Sequence, residues 1–163
     1  MKLRHEHAYD AAPAAVLAMM TEPGFWDLVA VATAAISSVT TVEADGGATR
    51  VVTDSDQPVV GVPSFAKKFA GDSARAITTA VWSGSTAAYT VDTPGKPTTL
   101  AGTITVTEAS TGSIAGSTVV YDLELKASVP LIGGKLERLM GQLTSEGFDK
   151  EHAVGVAWLA GER

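Results

Sequence analysis

Residues 5 to 7 read His5-Glu6-His7. On a β-strand side chains alternate between faces, so the two imidazoles share one. An imidazole titrates near neutral pH and binds divalent metals, so the pair could act as an acid or base, or as two ligands of a zinc site. A zinc site needs further donors, such as His152 or a carboxylate, and no full ligand set is legible along the chain. No metal and no cofactor are therefore assigned. An acid or base role requires an imidazole inside a pocket, within reach of a substrate proton. Asp54 and Asp56 also alternate onto one strand face, where solvation accounts for them. Gly133-Gly134-Lys135 is followed by Leu136. A phosphate-binding loop needs Ser or Thr there, so the glycines read instead as a tight entry into a helix. Neither a Gly-x-Ser-x-Gly elbow nor a dinucleotide fingerprint occurs. With no cysteine, disulfides, thiolate metal sites and cysteine nucleophiles are excluded.

Aromatic rings form a second set. Trp82, Tyr89 and Tyr121 fall on separate expected strands, Phe65 and Phe69 on an irregular segment, and Trp26 on a short helix. Large rings with a polar handle suit pocket walls, although each alone fits an ordinary core equally well. A C-terminal helix would meet them through Leu136, Met140 and Leu143. The pliable thioether of Met140 suits a variable ligand, and Gly147 leaves room on the same helix. The candidate ligand-binding residues are His5, His7, Phe69, Trp82, Tyr89, Tyr121, Leu136, Met140 and Leu143. No catalytic residue is assigned.

The elements that must position these residues follow from periodicity. Lys2 to Tyr9 alternates, with Leu3, His5, His7 and Tyr9 on one side. Asp10 and Pro13 open a helix carrying Val16, Leu17, Met19 and Met20, and Phe25 to Ala35 reads as a second short helix. From Ile36 the chain turns rich in Val, Thr, Ser and Ala, which favours strands. These are Ile36–Glu43 and Thr49–Ser55 around a glycine turn, Asp72–Ser83, Thr86–Asp92, Leu100–Glu108 and Ile114–Val129, the last two joined through Ala109 to Ser113. Ser64 to Phe69 could form a helical turn or two. From Val129 to Leu159 one long helix is expected. Its apolar face holds Ile132, Leu136, Leu139, Met140, Leu143, Val154 and Trp158. Lys135, Glu137, Arg138, Gln142, Glu146, Lys150 and Glu151 lie largely on its wet side. A helix of that length needs a broad apolar surface, and a curved sheet provides one.

Composition narrows the function. The 163 residues suit a single domain over 1–163, large enough to bury a substantial core. At 45% hydrophobic and 18% charged the chain is too apolar for disorder, and a net charge of −6 argues against nucleic acid as partner. Met1 to His7 lacks the apolar core of a signal peptide, and the most apolar run, Leu28 to Ile36, is about half a membrane span. A soluble cytoplasmic protein with no stable membrane insertion is expected.

One further pattern is local. Val129-Pro130-Leu131-Ile132-Gly133-Gly134-Lys135-Leu136-Glu137 leads into the last helix, preceded by Lys68-Phe69-Ala70-Gly71-Asp72, a strand ending in Trp82, Gly95-Lys96-Pro97 and Gly102. With the element order, this resembles the START / polyketide-cyclase-like helix-grip superfamily, in an uncharacterised bacterial branch. The resemblance spans essentially the whole chain. It implies an α+β fold in which a curved, seven-stranded antiparallel sheet wraps a long C-terminal helix, with two short helices after the first strand. It also implies a hydrophobic pocket between sheet and helix, but no particular chemistry. The expected function is binding or carrying a small hydrophobic or amphipathic ligand, lipid-like or aromatic. A cyclase or dehydratase using a pocket histidine or tyrosine is the alternative, and a protein-interaction module with a filled core is a second.

Overall fold

A computed structural model describes residues 1–111 and 114–163. The chain opens with β1 (Lys2–Tyr9), which turns Leu3, His5, His7 and Tyr9 to one side, the side that becomes buried. Helix α1 (Pro13–Met20) starts on a proline, whose missing N–H costs nothing in a first turn, and buries Val16, Met19 and Met20. Helix α2 (Pro23–Ala32) begins two residues before the expected Phe25 for the same reason. It stops at Ala32, short of the expected Ala35, and Ala34 takes a φ of 57°. Then follow β2 (Ser37–Asp45), β3 (Ala48–Pro58), α3 (Ser64–Ala70), β4 (Ser73–Ser83), β5 (Thr86–Asp92), β6 (Thr98–Thr111), β7 (Ile114–Ala127) and α4 (Gly133–Leu159). Gly46 and Gly47 close the first hairpin with φ of 55° and 90°, the positive pair that a tight hairpin turn demands. The expected connection through Ala109 to Ser113 lies partly outside the described residues.

Among the described residues the strands form one antiparallel sheet in the order β1-β7-β6-β5-β4-β3-β2. The first strand pairs with the last, setting His5 beside Tyr121 and His7 beside Val119. On β7 the period of two is clean, with Val119, Tyr121, Leu123 and Leu125 buried and Asp122, Glu124 and Lys126 exposed. Outside the sheet's inner face, Arg75 grips both oxygens of Asp54 at 2.8 and 2.6 Å, so that carboxylate has a partner as well as water. No single helix among the described residues is long and apolar enough to cross a membrane.

Helix α4 has 27 residues, ~40 Å at 1.5 Å each. It packs on β1, β7, α1 and α2. The expected wet side needs one correction: Glu151 is 7% exposed and faces the sheet. It follows Met140 by eleven residues, three turns of helix, and so joins the buried stripe. Gly155 shows how close the helix comes. A Cβ there would lie 2.8 Å from the ring of Tyr9, whereas one at Gly147 would meet nothing within 4 Å. Two substitutions should therefore part company. Gly147→Ala gains ~0.5–1 kcal/mol from helix propensity. Gly155→Ala forces the buried Tyr9 ring aside and loses ~1–2 kcal/mol net. Urea midpoints check both, and equal gains would mean the Tyr9 contact is not tight.

Candidate functional site

The inner faces of β3 and β4 carry small side chains: Thr53 and Ser55 on one, Ala76, Thr78 and Ala80 on the other. They are too short to reach across to α4, and Gly147 on the facing helix adds no side chain. A cavity of about 630 Å³ remains between them. That volume is in the range of small-molecule sites. Its larger walls are Trp82, Tyr89, Ile104, Met140 and Phe148, with Trp26 of α2 closing one side. Val60, 77% exposed, and Leu143, 43% exposed, mark where it meets solvent.

Glu151 supplies the cavity's buried charge-bearing group, while Glu146 and Lys150 stand at its exposed rim. Its carboxylate accepts a hydrogen bond from the Tyr121 hydroxyl. Burial lifts the Glu151 pKa to about 7, against the partial pull of that hydrogen bond. The same burial, with the Glu151 charge nearby, raises the phenols of Tyr121 and Tyr89, so both stay protonated at neutral pH. An apolar chamber thus ends in a carboxyl–phenol pair that can donate and accept hydrogen bonds.

The histidines lie on the far side of Phe148. That ring stacks on Tyr121 at 4.1 Å and tilts against His5 at 5.7 Å. His7 is buried between β1 and α4, stacked on His152 at 4.4 Å. Burial first, then the neighbouring His152 and His5, push its pKa down to about 4. His5 Nε2 lies 3.0 Å from Asp149 Oδ1.

A family model described as "Protein of unknown function (DUF2505)" matches residues 4–159. The chain belongs to that family. No curated protein matches it. Solved structures similar to this DUF2505 chain include a protein from Thermus thermophilus, at 17% identity and TM-score 0.66 over 99% of this chain and 98% of that one. Ara h 8.0201 matches at 13% identity and TM-score 0.56 over 96% and 98%. Norcoclaurine synthase from Thalictrum flavum matches at 13% and 0.54 over 94% and 86%. These identities speak for the fold alone, and the fold is the helix-grip type that the sequence pattern resembles.

Of the residues singled out in this DUF2505 sequence, the structure brings Trp82, Tyr89, Met140 and Leu143 to the cavity wall. Tyr121 stands one layer back, behind Phe148, and reaches the cavity through Glu151. Leu136 is buried at the start of α4, outside the cavity. Phe69, on α3, lies outside it too, with the Lys68 ammonium 4.9 Å from its ring centre. His5 and His7 miss it because β1 is the sheet edge, and α4 lies directly over that edge. Glu151, Phe148 and the small residues of β3 and β4 were not singled out. For Glu151 the signal was its eleven-residue spacing from Met140. For the small residues it was the Ala and Thr at alternate positions from Ala74 to Ala80.

Proposed function

We propose that this protein binds a small amphipathic ligand, lipid-like or aromatic, in the chamber between α4 and strands β3 to β6. One observation supports the reading above others: a 630 Å³ space lined mainly by apolar side chains and ending in the Glu151–Tyr121 pair. The apolar body of the ligand lies against Trp82, Ile104 and Met140. Its polar end meets Glu151 and Tyr89, since a buried carboxyl favours a ligand that offers it a hydrogen bond. A protein-interaction module with a filled core fits this interior poorly.

The test is displacement of an environment-sensitive anilinonaphthalene dye from the purified chain. Medium-chain amphiphiles and bicyclic aromatics should compete at a stoichiometry of one, and neutral or hydroxylated head groups should outcompete carboxylates of the same size. A chain that binds no dye, and retains no small molecule in native mass spectrometry, would remove the proposal. The enzyme alternative draws support from the same buried carboxyl of Glu151 and the Tyr89 phenol beside it on the wall. Any acid or base would then be Glu151 with Tyr89, both on the cavity wall, rather than His5 or His7.

A further inference from the structure

The fold brings a third donor to the His5–His7 pair. Asp149, on α4, sits over β1, and one nitrogen of each ring and a carboxylate oxygen of Asp149 lie within 4.8 Å of one another. A second observation is independent of that spacing. His7 is only 7% exposed, and its Nε2 has no hydrogen-bond partner. A buried polar atom without a partner costs ~1–3 kcal/mol, so its persistence calls for something to satisfy it. No neighbouring group meets Nε2 in hydrogen-bond geometry, although the Phe148 backbone lies close enough to His7 to favour its protonated form slightly. The His152 ring stacks on His7 face to face, which offers no in-plane partner, and its own Nε2 donates to the carbonyl of Ala8 at 2.9 Å. His152 is thereby turned away from the cluster. The other two donors are less buried: the side chain of His5 is 18% exposed and that of Asp149 66%.

We propose that His5, His7 and Asp149 bind one divalent late-transition ion, of which zinc is the representative. Two imidazoles and a carboxylate suit zinc, cobalt(II) or nickel(II), whereas magnesium and calcium prefer all-oxygen shells. The exposed side, at Asp149, leaves room for water as a fourth ligand. Donors at zinc distances of ~2.0–2.2 Å stand ~3.3–3.5 Å apart, so the wider separations in the cluster, up to 4.8 Å, must shorten, while the existing 3.0 Å contact of His5 with Asp149 opens into shared coordination. The ion would tie two parts of the chain that are 144 residues apart, the edge strand β1 and the second half of α4. It lies behind Phe148 and is separate from the ligand chamber.

The test uses the full, untagged chain stripped with EDTA and then titrated with zinc chloride, read by calorimetry and by elemental analysis after desalting. One zinc per chain, a rise in the thermal midpoint with zinc, and no response to magnesium are expected. Asp149→Asn removes a ligand at an exposed position and leaves the metal-free fold intact. It should weaken zinc by at least ~10-fold, and His5→Ala should do the same. Their metal-free thermal midpoints serve as the check on folding. Cobalt(II) should give visible absorption bands of a four- or five-coordinate site in the parent chain and lose them in Asp149→Asn. No zinc retained by the parent chain would overturn the assignment. So would zinc held equally well by well-folded Asp149→Asn and His5→Ala.

Discussion

Glu151→Gln makes the protein more stable at pH 8, by roughly 2–3 kcal/mol, and leaves it nearly unchanged at pH 4. The sign follows from linkage. Glu151 has an ordinary value of 4.5 in the unfolded chain and about 7 in the fold. Between those values the folded state holds a proton that the unfolded state has released. Stability from this group is therefore complete below pH 4.5, falls as pH climbs through 7, and stays low above it. At ~1.36 kcal/mol for each pH unit between the two values, the loss approaches roughly 3 kcal/mol. Glutamine keeps an acceptor for the Tyr121 hydroxyl and never ionises. His7 works in the opposite direction. Its pKa is lowered to about 4 from 6.5, so the unfolded chain takes up a proton first, and stability falls as pH drops below 6.5. In the parent chain the two slopes nearly cancel from pH 4.5 to 6.5. In Glu151→Gln the His7 slope stands alone, and stability climbs steadily over that range. Urea titrations from pH 4 to 8 in EDTA-containing buffer give both curves. A Glu151→Gln chain that is weaker at pH 8 would mean the carboxylate is held by contacts the fold does not reveal.

Gly147→Trp weakens binding of the anilinonaphthalene dye by at least ~30-fold, about 2 kcal/mol, without unfolding the chain. Nothing lies within 4 Å of where its Cβ would project, so the indole enters the chamber rather than a packed core. It then takes the space between Met140 and Phe148 that a ligand body needs. Gly147→Ala, which adds one methyl group to the same wall, is the control: it keeps most of the dye affinity while gaining helix stability. Unchanged dye affinity in the tryptophan variant would place the dye elsewhere on the molecule.

The fold was legible because its signals are long and regular. β7 alternates over many residues, and α4 holds its apolar stripe through seven turns, so neither could sit as anything else. The seven-stranded wrapped sheet came with the superfamily resemblance, whereas the pairing of β1 with β7 was not legible, since pairing across more than a hundred residues leaves no local mark. The site was half legible. Trp82, Tyr89 and Met140 announce themselves by size, and they do reach the chamber. What makes the chamber is the reverse, a lack of size along β3, β4 and Gly147. A short side chain reads the same in a strand whether it faces water or a void. Thr53, Ser55 and Thr78 look like solvated strand residues until the helix is set across from them. Glu151 departs from its expected wet side for a related reason: its charge suggests solvent, while its eleven-residue spacing from Met140 sets it on the buried stripe. His5 and His7 share a face as expected. Which part of α4 covers them depends on the angle of the helix across the sheet, and a sequence does not fix that angle.

The claim that binding happens inside the molecule has a built-in set of reporters. Of the four methionines, Met20 and Met140 line the chamber, while Met1 and Met19 do not. Carbon-proton spectra of methyl-labelled methionine, followed during titration with the dye, read all four at once. The Met20 and Met140 signals should move together along one saturating curve while those of Met1 and Met19 hold still. No movement at Met20 and Met140, or equal movement at Met19, would contradict binding inside the molecule.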